Sequence, residues 1–174
     1  RWNLIKKIEN LEMLTNLQEI EFYDNQITKI ENLEALVNLE FLDLSFNRIR
    51  SIENLDKLVN VQKLFLCANK ISVIENLGCL TNLTMLELGD NKLRKIENLD
   101  LLVNLKQLYL GKNKITKVEN LDKLVNLECL SLQIMIFEYN ILKTSYLKLL
   151  NEKTNFISMY TKNLYKNKSL IANN

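Results

Sequence analysis

Side chains able to do acid–base, nucleophilic or metal chemistry are few in this 174-residue chain, and their spacing suits none of those tasks. There is no histidine. That removes the usual general base near neutral pH and the commonest metal ligand, and with them His-dependent triads, His-containing zinc sites and two-His iron sites. Cys67, Cys79 and Cys129 stand too far apart for a thiolate cluster and form no CxxC pair; an odd, sparse count points to a reducing compartment. No phosphate loop, dinucleotide fingerprint or nucleophile elbow is present. What remains is a set of carboxylates and aromatic rings: Glu19, Glu21, Asp43, Phe65, Glu87 and Tyr109. Their chemistry is recognition. Rings supply desolvated anchors, and carboxylates bond to Arg, Lys or backbone N–H groups of a partner. The expectation is a binding protein, not an enzyme, with no cofactor and no metal.

A repeat positions these residues. The triplet ENL recurs with its Glu at 9, 31, 53, 75, 97 and 119, a period of 22 residues. Two further asparagine columns keep the same register, one from Asn3 through Asn25, Asn47, Asn69 and Asn91 to Asn113, the other from Asn16 through Asn38, Asn60, Asn82 and Asn104 to Asn126. These columns hold 18 of the 25 asparagines, so the composition is a pattern and not a bias. Such a period lies within the range of leucine-rich units that cannot bury their apolar face alone and must stack.

Within LEFLDLSFN, the spacing of two between Leu42 and Leu44 is strand alternation, which turns residues 41, 43 and 45 to the opposite face. After the asparagine the spacing becomes three, as in Ile27 and Ile30, which suits a turn or a 3₁₀-like return. The expected fold class is therefore α/β. It is a horseshoe solenoid of 22-residue repeats, with a concave parallel β-sheet and short 3₁₀ or turn returns. Leu33, Leu36, Leu39, Leu42, Leu44, Ile49 and Ile52 exemplify the core columns. Asn25, Asn47, Asn69, Asn91 and Asn113 are expected to be a structural ladder bonding to backbone groups at the strand exit.

The inner face then carries Glu19 and a central row of Glu21, Asp43, Phe65, Glu87, Tyr109 and Ser131, which varies from unit to unit while the core columns repeat. An acid and an aromatic lie roughly 5–10 Å apart along it. The acidic residues disfavour nucleic acid. No apolar run approaches the roughly 18–20 residues of a membrane span.

The array is expected over residues 1–133 and a non-repeat tail over 134–174. The array carries 17 basic against 19 acidic residues; the tail has six lysines against Glu138 and Glu152. The opening RWNLIKKIENL falls in mid-unit, so both ends read as truncated. Three origins for the tail stand: a cap with a helix near 139–151, a basic arm, or an alternative or aberrant C-terminus.

The returns NQITKIENL, NRIRSIENL, NKISVIENL, NKLRKIENL and NKITKVENL, with LEALVNLEFLDLSFN, KLFLCANKIS and LYLGKNKITKVENLDKL, resemble the SDS22-like class of leucine-rich repeats over residues 3–133. The resemblance implies a non-enzymatic regulatory subunit that binds the protein phosphatase 1 catalytic subunit through its concave face. Asp43, Phe65, Glu87 and Tyr109 fall on contact positions, Tyr109 standing where the family usually has Phe. It further implies work alongside inhibitor 3, a monomeric scaffold, and residence in nucleus and cytoplasm. The generic repeat is shared with dynein-arm assembly factors and a spliceosomal protein, so an adaptor in axonemal dynein assembly or the spliceosome is the alternative.

Overall fold

In the computed structural model, residues 3–136 and 156–163 are described. Seven strands form one all-parallel sheet in chain order: β1 (Glu19–Glu21), β2 (Phe41–Asp43), β3 (Lys63–Phe65), β4 (Met85–Glu87), β5 (Gln107–Leu110), β6 (Cys129–Ile136) and β7 (Phe156–Asn163). Across β1–β6 each register partner lies one repeat away, as Leu42 beside Leu64 and Leu64 beside Leu86. The leucines and isoleucines pile into a single core. Leu33, Leu36, Leu39, Leu42, Leu44, Ile49 and Ile52 are all fully buried.

The α/β assignment is overturned. Among the described residues there is neither α-helix nor 3₁₀-helix, and the architecture is an all-β, horseshoe-like solenoid. Each return contains two separate hydrogen-bonded turns, Leu36 N–H to Leu33 O at 2.9 Å and Leu39 N–H to Leu36 O at 3.0 Å. A 3₁₀-helix needs such bonds from consecutive residues. Here the next donors are taken by the neighbouring unit: the N–H groups of Glu40 and Phe41 both bond to Gln18 O, at 2.7 and 3.0 Å. The Ile27–Ile30 leg is likewise bonded between units, Arg48 N–H reaching Ile27 O at 2.8 Å. Stacking outcompetes the local helix.

The three asparagine columns do three different jobs. Asn69, 8% exposed, accepts the Ile49 N–H at 3.0 Å and donates to Leu44 O, Leu66 O and Cys67 O at 3.0–3.2 Å. Asn47 and Asn91 repeat the pattern. The ENL asparagines sit at positive φ, for example Asn54 at 57° and Asn76 at 55°, a region Asn tolerates better than most residues. From Asn32 to Asn120 each also donates to the preceding unit, as Asn76 does to Ile52 O at 2.7 Å. The third column is exposed and rung-like, with Asn60 donating to Val37 O at 2.8 Å and Asn82 to Val59 O at 3.0 Å. No glycine occupies a positive φ anywhere among the described residues, and asparagine takes that position in the ENL turns.

The buried ladder ends at Asn113, and position 135 is methionine. There the strand does not turn a corner: β6 runs eight residues, through Ile134, Met135 and Ile136. β7 pairs with it in parallel, Cys129 beside Phe156, a step of 27 residues in place of 22. The helix expected near 139–151 lies outside the described residues. Among those described, no helix is long and apolar enough to cross a membrane.

Candidate protein-binding face

Each short strand sends its middle residue, such as Leu42, Leu64, Leu86 or Leu108, into the core and its two flanking residues to the inner face. The register brings Glu21 beside Asp43, Asp43 beside Phe65, Phe65 beside Glu87, Glu87 beside Tyr109 and Tyr109 beside Ser131. The sequence-predicted row is therefore continuous across six strands. Glu19 stands on the parallel row beside Phe41.

Two of the acids are held by their own strand exits. Asp43 Oδ1 accepts the Ser45 N–H at 2.8 Å, and Glu87 Oε1 accepts the Gly89 N–H at 2.7 Å. Gly89 makes room for this: a Cβ there would lie 2.6 Å from Glu87 Oε1. These bonds orient the carboxylates before any partner arrives, which lowers the ordering cost of binding. The alternation pattern shows which way these acids face, but not that each also accepts the N–H two residues further along, at its own strand exit. The i, i+2 spacing of Asp43 and Ser45 is the signal that could have shown it.

Burial raises the pKa of Glu87, and the Gly89 N–H partly offsets it. In the folded chain Glu87 therefore holds its proton more tightly than in the unfolded chain, where 4.5 is ordinary. The resulting contribution to stability is fully present below the unfolded value and is lost as pH rises through the folded one. In urea melts between pH 4 and 7, Glu87→Gln should gain stability relative to wild type as pH rises. A difference independent of pH would contradict this.

The other inner side chains are not poised for chemistry. Burial, with Glu87 and Asp90 nearby, pushes the Cys67 thiol up to about 11, far from a reactive thiolate. The Tyr109 hydroxyl is raised by burial and by Cys129, whose thiol approaches it at 3.9 Å. Among the described residues, no group of three His, Cys, Asp or Glu side chains could hold a metal ion. Phe65 packs against Phe41 with ring centroids 5.2 Å apart and the planes tilted by 39°. Tyr23 and Phe46 form a second ring pair at 5.0 Å; Phe46 was not singled out from sequence. On the strand-entry side, a groove of about 420 Å³ is lined by Asn60, Gln62, Asn82, Thr84, Asn104 and others, but its asparagine amides already donate to neighbouring carbonyls.

Two leucine-rich repeat sequence profiles match the chain, one of two repeat copies over residues 15–57 and a second over 58–169. No relative was found among curated proteins. Solved structures similar to the chain include an internalin (inlF) from Listeria monocytogenes, 27% identical with a TM-score of 0.75, covering 92% of this chain and 47% of that one. A leucine-rich repeat protein of Leptospira interrogans is 28% identical with a TM-score of 0.73 over 86% of this chain and 40% of its own. Internalin C2 of Listeria monocytogenes is 26% identical, TM-score 0.64, over 91% and 77%. The chain thus spans less than half the length of the first of these. The repeat profiles, the stacked units and the parallel sheet agree, and the chain belongs to the leucine-rich repeat family, whose members are characteristically non-catalytic.

Proposed function

We propose that the chain is a regulatory scaffold that binds the catalytic subunit of protein phosphatase 1 through its inner face, as a monomer in nucleus and cytoplasm, alongside inhibitor 3. The observation that carries the reading is the contrast between columns. Core positions repeat almost unchanged, whereas the row Glu21, Asp43, Phe65, Glu87, Tyr109 varies along the sheet between carboxylates and aromatic rings. A regular scaffold with an irregular face addresses one particular surface. The choice of phosphatase rests on the SDS22-like returns and on Asp43, Phe65, Glu87 and Tyr109 at the class's contact positions.

Isothermal titration of the phosphatase catalytic subunit into the chain tests this. Asp43→Asn with Glu87→Gln removes both charges while keeping acceptors for Ser45 and Gly89, so the fold should survive. The double variant should bind about 30- to 1000-fold more weakly, the range for two central charged contacts. No binding by folded wild-type chain would sink the phosphatase reading.

A further inference from the structure

Five of the six aromatic residues among 3–136 fall between 22 and 65. Phe22 is buried, Phe41 and Phe65 pair on the strands, and Tyr23 and Phe46 pair at the strand exits. Phe46 is anomalous. Its φ is 56°, in the left-handed region, and its side chain is 46% exposed. The equivalent positions in other units, also at positive φ, hold Asp24, Ala68, Asp90 and Lys112. Left-handed backbone favours Asn, Asp or Gly and is an outlier for a bulky residue. Neither the backbone nor the core calls for a phenyl ring there, and an exposed ring on strained backbone is the mark of a binding contact.

The surroundings specify what the rings would meet. Tyr23 follows Glu21 by two residues on the same face, and Glu21 stands in register with Asp43. Glu21 and Asp43, whose backbones lie roughly 5 Å apart at strand spacing, precede Tyr23 and Phe46 by two and three residues, and the acidic charge they bring to this end of the face attracts a cation. Asp24 adds a third acid at the rim, with Lys29, Arg48 and Arg50 as the basic residues nearest in sequence. We propose that Tyr23 and Phe46 form an anchor site for an arginine- or lysine-bearing segment of a partner protein. Its aliphatic stem and an adjacent apolar side chain lie on the rings, while its charge faces Glu21 and Asp43. This rests on the inner face being protein-binding and not on the identity of the partner.

Selection of phage-displayed random peptides against the full chain tests the site, with Phe46→Asn as the counter-target. Enriched peptides should carry Arg or Lys beside an apolar residue and bind Phe46→Asn at least ten-fold more weakly, while its melting temperature stays within about 3 °C of wild type. Any of the following overturns the proposal: failure to enrich peptides, enrichment without cations, equal binding to the variant, or a larger fall in melting temperature, which would make the ring structural. A dimer in sedimentation velocity that is lost in Phe46→Asn would assign the rings to a second copy and overturn it too. The two readings fail separately. Phosphatase that does not bind while cationic peptides do removes only the partner's identity; phosphatase binding indifferent to Phe46→Asn removes only the anchor.

Discussion

Asn69→Ala should destabilise the chain by about 3–5 kcal/mol in urea unfolding, an effect shared by its ladder neighbours Asn47 and Asn91. The amide makes four contacts, three of them buried: it accepts the Ile49 N–H at 3.0 Å and donates to the carbonyls of Leu44 and Leu66, with a part-buried fourth to Cys67 O. Ile49 is fully buried, so its N–H has no route to water once the acceptor is gone. Leaving a buried backbone group unpaired costs its desolvation, about 1–3 kcal/mol, which is why the loss exceeds the net worth of one bond. The same substitution at Asn82 is the control. Its amide donates to Val59 O at 3.0 Å in an exposed setting, where water can replace it, and Asn82→Ala should cost under about 1 kcal/mol. Equal effects at the two positions would show that burial does not separate the columns.

The second large effect is Leu86→Ala, expected to cost about 3–4 kcal/mol. Leu86 is the middle residue of β4, is fully buried, and lies in register between Leu64 and Leu108. Truncation opens a cavity against both neighbouring units, and in a solenoid those nearest-neighbour interfaces carry cooperativity. The loss should therefore appear as a broadened or split transition as well as a lower midpoint. Ile20 holds the equivalent place in β1, where it is only partly buried and pairs with β2 alone. Ile20→Ala should cost about 1 kcal/mol. A penalty at Ile20 as large as at Leu86 would mean that β1 is buttressed as fully as a central strand.

Much of this protein is legible in its sequence because the same environment recurs six times. Strand alternation placed Leu42 inside and Asp43 outside, and the parallel register made Asp43, Phe65, Glu87 and Tyr109 neighbours in the order read from the 22-residue period. The ladder of Asn25, Asn47, Asn69, Asn91 and Asn113 was legible for the same reason: a buried amide repeated in register must be bonding to backbone. The reading went astray where local preference competes with stacking. A spacing of three fits a 3₁₀ turn within one unit, but the donors at Glu40 and Phe41 are drawn to Gln18 O of the preceding unit, and no helix forms. That competition has no signature in a single repeat.

Periodicity leaves one way to bury the leucines, so the repeat, its core columns, the strand register and the residues of the inner face all follow from the order of the amino acids. The remaining features come from how the units stack. The tertiary structure turned the returns into paired turns, locked Asp43 and Glu87 onto the backbone of their own strands, and set Phe46 in left-handed backbone against Tyr23. It also ran β6 on through Met135 to meet β7 where the ladder lacks its next asparagine. Each of these depends on which neighbouring unit supplies a donor, an acceptor or a ring, and that is a property of the stack and not of any one repeat.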